Sequence, residues 1–254
     1  MELIAVEIGF GLLIGILLGT IGGGGSILTV PILIYAIGLS VHDATATSLV
    51  IVGVTALLGV VPHWREGNVH LRTGLTFGAA GILGAVLGTA INRRMNEILV
   101  LFLFGILMLL VAARMAFGKQ PEPRGVDGQQ ALVSTLVAGA AVGVMTGIFG
   151  VGGGFLIVPA LVLALGLPMR EAVGTSLMII AINSAAAGLA RWGGGGFDFA
   201  VAAIFILGGF IGSQLGARIA SRLDNGRLAK AFAALVLLVG LAVIVDSANT
   251  LFGG

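Results

Sequence analysis

The chain has no cysteine and few charged residues, and both shortages limit what it can be. Without cysteine it has no disulfide, no thiolate metal site and no cysteine nucleophile. Charged residues make up only 9% of the 254 residues, against roughly a quarter in an ordinary soluble domain. A soluble protein with an all-apolar core is the alternative to a membrane protein, and the length of the uncharged runs argues against it.

Six long runs without Asp, Glu, Lys or Arg fill most of the chain. They cover residues 8–42, 44–64, 73–92, 128–169, 172–190 and 199–217. A bilayer core about 30 Å thick needs roughly 20 mostly apolar residues per helix. The runs therefore predict an all-α integral membrane protein, and the two longest runs must each hold two segments.

The same pattern occurs twice, 128 residues apart (159 − 31): a glycine run leads to Pro31, and another leads to Pro159. Aligning residues 15–49 with 143–177 without a gap gives 16 identities in 35 positions. This predicts two homologous repeats of about five segments each, over residues 1–117 and 131–254, with a linker over 118–130. A duplicated apolar chain with matching glycine-interrupted segments is typical of secondary transporters.

The second segment of each repeat is short, so it either crosses the membrane or returns to the same side. The predicted segments are 3–20, 25–39, 44–61, 73–91, 98–117, 131–149, 153–167, 172–190, 199–217 and 229–246. If all ten cross, the 13 basic residues divide 10 to 3 between the two faces; if the short ones return, they divide 7 to 6. Cytoplasmic loops are enriched in Lys and Arg. We therefore expect ten crossings, inverted repeats, both termini outside the cytoplasm and a place in the inner (plasma) membrane.

The glycine runs are the first candidate site. Each glycine costs a helix about 1 kcal/mol relative to alanine, and backbone interrupted in lipid is tolerated only where protein or a polar cavity surrounds it. A helix that restarts after the run presents free N–H groups, which attract anions. The alternative is a tight turn between close-packed helices. Because the runs are paired, we predict that they bind substrate. The residues are Gly22, Gly23, Gly24, Gly25, Ser26, Gly150, Gly152, Gly153 and Gly154.

The third segment of each repeat adds neutral polar side chains to this candidate site. Ser48 and Thr55 lie seven residues apart on one helix face, and Ser176 and Asn183 repeat that spacing 128 residues later. Such groups can bind an oxyanion without a buried countercharge, or they can simply bond to the preceding helical turn. Both interpretations stay open. The neighbouring threonines, 47 and 175, lie near a predicted helix start and are interpreted as caps.

Few residues in the spans suggest other chemistry. Glu7 is predicted to reach water, and His42, His63 and His70 are predicted to lie in loops without metal-ligand spacing. No nucleophile elbow, paired carboxylates or nucleotide-binding glycine loop is present. We therefore expect no enzyme activity, no cofactor and no metal.

Small residues at every fourth position predict close helix packing. They are Ala80, Gly84, Gly88, Gly208, Gly212 and Gly216.

A glycine break leading to proline and then a small-Thr-Ser-Leu stretch, in two copies, resembles the sulfite exporter TauE/SafE family of membrane permeases. The matching stretches are Gly22 to Pro31 with Ala46-Thr47-Ser48-Leu49, and Gly150 to Pro159 with Gly174-Thr175-Ser176-Leu177. The resemblance covers essentially the whole chain. It implies transport of small sulfur-containing anions such as sulfite, sulfoacetate or other organosulfonates, and seven or eight spans rather than ten.

We therefore expect a secondary transporter whose partners are a small anion, membrane lipid and a coupling ion, either proton or sodium. The scarcity of ionisable residues favours sodium, or an uncoupled channel-like facilitator, over a carboxylate proton relay. A membrane scaffold subunit is a weaker alternative. Nucleic acid is not expected as a partner, because membrane topology explains the basic residues. Homo-oligomerisation stays open.

Overall fold

The computed structural model describes residues 2–92, 95, 97–118, 129–149 and 154–252, and the described residues form helices without any strand. The helices are α1 (Glu2–Ile21), α2 (Ser26–Tyr35), α3 (Val41–Arg65), α4 (Leu71–Asn92), α5 (Glu97–Phe117), α6 (Gln129–Phe149), α7 (Gly154–Pro159), α8 (Met169–Arg191), α9 (Phe199–Arg222) and α10 (Asn225–Phe252). A 3₁₀ turn, Gly22–Gly25, connects α1 to α2, and a π-helical turn, Ala160–Ala164, extends α7.

Within the described residues, eight apolar stretches are long enough to cross a membrane, and the first of them, Ile4–Tyr35, contains both α1 and α2. At 1.5 Å per residue, the 10 residues of α2 span about 15 Å. The short helix Gly154–Ala164 is of similar length. Both are about half the thickness of a bilayer core. The predicted short second segments are therefore half-length helices, which reconciles ten segments with eight long stretches.

The directions of the helices follow from which residues touch. Added Cβ atoms on successive glycines of α1 meet successive residues of α9, and α9 in turn meets α3 in the same order, so all three helices run parallel. The contacts are Gly11–Phe205, Gly15–Gly209 and Gly19–Ser213 between α1 and α9, and Thr55–Gly209 and Gly59–Ser213 between α3 and α9. Because α1 and α3 run the same way, α2 must bring the chain back between them.

The other contacts extend this alternation to the whole chain. α4 is parallel to α6 and α8, whereas α3 is antiparallel to α8 and α5 to α10. The contacts are Gly84–Ala140, Gly88–Val144, Gly74–Met178, Gly78–Ile182, Gly53–Ser184, Gly59–Leu177, Gly105–Ile244 and Gly240–Met108. The helices thus alternate in direction from α1 to α10, as ten crossings require. Of the basic residues that the structure describes, Arg191 alone lies at the same end of the bundle as the start of α1.

The predicted rows of small residues are packing surfaces. A Cβ at Gly212 would collide with the carbonyl of Leu12, and one at Gly84 with the carbonyl of Ala140, so the facing backbones are nearly in contact. The row on α9 packs against α1, and the row on α4 against α6. Each partner helix carries its own glycine row at the same spacing, which the sequence analysis did not identify. These rows are Gly11, Gly15 and Gly19 on α1, and Gly139, Gly143 and Gly147 on α6.

Helix α3 continues four residues beyond its predicted end, through Pro62. Proline has no N–H, so the carbonyl of Leu58 loses its usual helical donor. The side chain of Gln214 on α9 replaces it, with Nε2 donating to the Leu58 carbonyl at 3.3 Å. In lipid such a carbonyl needs a protein partner, and this bond gives a structural role to Gln214.

The predicted linker between the repeats is shorter in the structure. α5 ends at Phe117 and α6 begins at Gln129, so the last two residues of the predicted 118–130 linker are helical. Residues 119–128 lie outside the described residues.

Candidate functional site

The first glycine run is a buried, tight reversal of the chain. All four residues of Gly22–Gly25 are buried, and Gly22 has φ +68°, a left-handed angle that favours glycine. A Cβ on Gly25 would meet the backbone of Leu18 and Ile14, so the chain folds back along α1. Both the N–H and the Oγ of Ser26 donate to the Gly23 carbonyl. The amide of Ser26 is therefore paired, and not free as the sequence had suggested.

The two interrupted segments touch inside the bundle. A Cβ on Gly23 would collide with the carbonyl of Gly154, and one on Gly154 would collide with Ser26 Oγ and lie 3.2 Å from the Gly23 carbonyl. The expected meeting of the two glycine runs is therefore confirmed for these residues. Gly150, Gly152 and Gly153 lie outside the described residues.

Ser176 lies against the first glycine run. A Cβ on Gly22 would collide with its Oγ, and the side chain is fully buried. The hydroxyl donates to the carbonyl of Val173 at 2.8 Å. Ser48 donates to the carbonyl of Thr45 at the same distance. Both hydroxyls therefore make the bond to the preceding turn that the sequence left open, and an anion would have to compete with that bond.

The threonines next to these serines bind loops from the other half of the chain. The Thr175 hydroxyl accepts from the N–H of His70, just before α4, at 3.0 Å. The Thr47 hydroxyl accepts from the N–H of Asp198, just before α9, also at 3.0 Å. Both distances separating the bonded residues across the halves follow the 128-residue register (198 − 70). These residues tie loops to helices across the molecule, and the interpretation of them as caps of their own helices was wrong.

Thr55 and Asn183 have buried oxygen atoms without a hydrogen-bond partner, but they lie against different helices. Thr55 contacts Gly209 on α9, whereas Asn183 contacts Gly78 and Gly81 on α4. An unpaired buried polar atom costs about 1–3 kcal/mol, so each marks a place where a ligand hydrogen bond would be gained.

Thr29 of α2, which the sequence analysis did not select, is fully buried and also has an unpartnered hydroxyl. It lies in the half-helix that follows the first glycine run. Its neighbours in the sequence are all apolar, so a lone threonine in this segment gave no spacing pattern to find it by.

Two ionisable residues are buried where the sequence placed them near water. Glu7 of α1 is 3% exposed and His63 is 1% exposed. His63 is not in a loop but in the last turn of α3, with Nε2 2.9 Å from the Gly19 carbonyl. Its Nδ1 has no partner. His42, by contrast, begins α3 and has an exposed side chain.

An apolar cavity of about 530 Å³ lies elsewhere, between the outward faces of α3 and α8. Its lining includes Val54, Leu57, Ile182, Leu189 and Trp192, and none of the predicted site residues. The indole of Trp192 lies beside the ring of Phe197 with ring centres 6.0 Å apart. The predicted site is thus closed and tightly packed, and the open cavity belongs to a different surface.

The sequence profile of the sulfite exporter TauE/SafE family matches residues 7–243. A Xylella fastidiosa (strain Temecula1) protein named "Probable membrane transporter protein" is 38% identical over 252 residues, covering 94% of both chains. The Bacillus subtilis (strain 168) "Probable membrane transporter protein YdhB" is 27% identical over 236 residues, 91% of this chain and 96% of that one. No solved structure matches the chain.

These relatives are named as membrane transporters and not as enzymes. The long apolar helices fit that description by length and composition. The chain therefore belongs to the sulfite exporter TauE/SafE family and is a multi-pass membrane transporter.

Proposed function

We propose that the protein is a secondary transporter of the plasma membrane for a small sulfur-containing oxyanion such as sulfite, sulfoacetate or another organosulfonate. The observation that carries the proposal is the contact between the first glycine run and Gly154, with Ser176 against Gly22. Two interrupted segments from distant parts of the sequence meet at one buried point. Transporters commonly bind their substrates at such a junction of discontinuous helices.

The two halves are proposed to be inverted repeats around this point. Helices that are equivalent in the 128-residue register run in opposite directions, as with α3 and α8. The main helix pairs are also reciprocal: the first helix of each half packs on the fourth helix of the other, as α1 with α9 and α6 with α4. Both features support the inversion and an alternating exposure of the shared point to the two sides.

The proposed ligands are backbone amides and neutral side chains. The residues are Gly22, Gly23, Gly24, Gly25, Ser26, Ser48, Thr55, Gly150, Gly152, Gly153, Gly154, Ser176 and Asn183. Each hydrogen bond to a charged ligand contributes about 1.5–3 kcal/mol. Because the junction is packed without space for an anion, the two segments must separate for substrate to bind. The hydroxyls of Ser48 and Ser176 would then exchange a backbone carbonyl for the anion.

Calorimetric binding to the purified protein tests the proposal with sulfite, thiosulfate, sulfate, taurine and sulfoacetate as ligands. Ser176→Ala and Ser48→Ala should each weaken binding of the accepted anion by about tenfold or more, since 1.4 kcal/mol is one decade. The double variant should bind weakest. Ser134→Ala is the matched control, because the Ser134 hydroxyl also donates to its own helix but is exposed. If no variant differs from the parent, the hydroxyls only brace their helices and the anion site lies elsewhere.

An uncoupled facilitator of the same architecture is the second candidate. It was favoured by the scarcity of ionisable residues in the spans, and the burial of Glu7 and His63 weakens that argument. The number of ions that accompany each anion into liposomes distinguishes the two candidates.

A further inference from the structure

His63 is an ionisable side chain buried inside the bundle, next to the first glycine run. Its Nε2 lies 2.9 Å from the carbonyl of Gly19. Gly19 belongs to the last turn of α1, where carbonyls lack a partner within the helix. The imidazole therefore stabilises the end of α1 just before the left-handed Gly22.

The geometry fixes which nitrogen carries the hydrogen. A carbonyl can only accept, so Nε2 of His63 must be the donor. In the neutral ring Nδ1 is then an acceptor with a free lone pair, and this atom is buried without a partner. The ring can take up a proton at Nδ1 without breaking its bond to Gly19.

The fold does not require a histidine at this place. In the 128-residue register His63 corresponds to Arg191 (191 − 63), which is exposed at the end of α8. Ionisable groups inside membrane spans are costly and are commonly part of ion or proton pathways. A buried titratable ring in only one half therefore suggests a function beyond packing.

The charged groups around His63 leave its ring chemically available. Glu66 follows α3, and its charge acts on the imidazole. From the loop before α4 and from α8, His70 and Glu171 are paired with each other at 2.6 Å. On α1 the other ionisable groups lie at its start, Glu7 among them, and the basic residues of α9 lie in its last turns; both are at a distance along the sequence from Gly19 and Ser213.

We propose that Nδ1 of His63 is the proton-binding site that couples transport, so that the coupling ion is a proton. This inference rests on the proposed function. A proton from water adds to the Nδ1 lone pair and makes the ring a cation beside the glycine run, and the same proton leaves Nδ1 on the other side after the anion has moved. The cation offsets the charge of the anion, for which the spans provide few other positive groups.

The test combines proton flux with a measurement that needs no substrate. In His63→Gln the amide nitrogen can still donate to the Gly19 carbonyl, but the side chain cannot take a proton. In liposomes with an internal pH dye, the parent and the exposed-site control His42→Gln should move protons with the anion. His63→Gln should lose this flux to the level of protein-free liposomes. Anion transport without protons in the parent, or an unchanged flux in His63→Gln, overturns the inference.

Nitrogen NMR on the His42→Gln/His70→Gln variant, in which His63 is the only histidine, reports directly on the ring. Nδ1 should be unprotonated at high pH and take up a proton between about pH 5 and pH 8, the range in which histidine acts as a switch. If no tested anion is transported, the proposed function fails while this titration still decides the inference. An Nδ1 that stays unprotonated over the whole range overturns it.

Discussion

The contact between Gly23 and Gly154 predicts a sharp difference between two neighbouring substitutions. Gly23→Ala would place its Cβ against the backbone carbonyl of Gly154. Gly24→Ala would meet the ends of two flexible side chains, with Leu235 Cδ2 at 2.9 Å and Ile21 Cδ1 at 3.0 Å. Neither glycine has a positive φ, so alanine fits the backbone at both positions. The difference between the variants is therefore steric.

The expected magnitude follows from how far each neighbour can move. Overpacking a well-packed interior typically costs about 1–3 kcal/mol. Gly23→Ala should be at the upper end, about 3 kcal/mol, because a backbone carbonyl inside a crossing of four segments cannot rotate away. Gly24→Ala should cost about 1 kcal/mol or less, because leucine and isoleucine tips can change rotamer. A cost of about 3 kcal/mol lowers the melting temperature of a chain of this size by roughly 6–12 °C.

Thermal unfolding in detergent, followed by the fluorescence of Trp64 and Trp192, measures the stability difference. Anion uptake into liposomes at a temperature where both variants are folded measures function. Gly23→Ala should also lose uptake, since the proposed site is the junction that the new methyl group forces apart. Equal melting temperatures and equal uptake for Gly23→Ala and Gly24→Ala would refute the contact and the function assigned to it.

Two further predictions concern packing between the halves. Gly15→Ala should lower the melting temperature by several degrees because its Cβ strikes the backbone of α9, whereas Gly9→Ala on the same helix has open space and should not; equal melting temperatures would contradict the close approach of α1 and α9. Thr175→Val keeps the shape of the side chain but leaves the N–H of His70 unpaired, so the free energy of unfolding should fall by about 1–3 kcal/mol. The exposed Thr76→Val control should change little, and a Thr175→Val variant as stable as this control would remove the cross-half tie.

Much of the helical architecture was predictable because lipid imposes simple rules. Uncharged runs must be helices there, and the observed helices begin and end within a few residues of most predicted segments. The end of α3 was placed too early because Pro62 reads as a helix stop. The chain continues because Gln214, distant in sequence, satisfies the carbonyl that the proline leaves free. No local pattern reveals such a partner.

The candidate site was predictable in outline only. The pairing of the glycine runs followed from their register, and the contact between Gly23 and Gly154 confirms it. The buried state of His63 did not follow, because a polar residue beside an arginine at the end of a span resembles an interfacial one. Its burial depends on α1 ending beside it, which is a tertiary fact.

The reciprocal packing of the halves has a consequence for how the protein is made. The glycine row of α1 faces α9, and residues 22–198 must be synthesised after α1 before α9 can appear. During that time α1 has in the membrane a flat, small-residue face without its final partner. Insertion of the first helices and their assembly are therefore separate stages in the biogenesis of this protein. The first half released on its own would lack the surface against which its first helix packs.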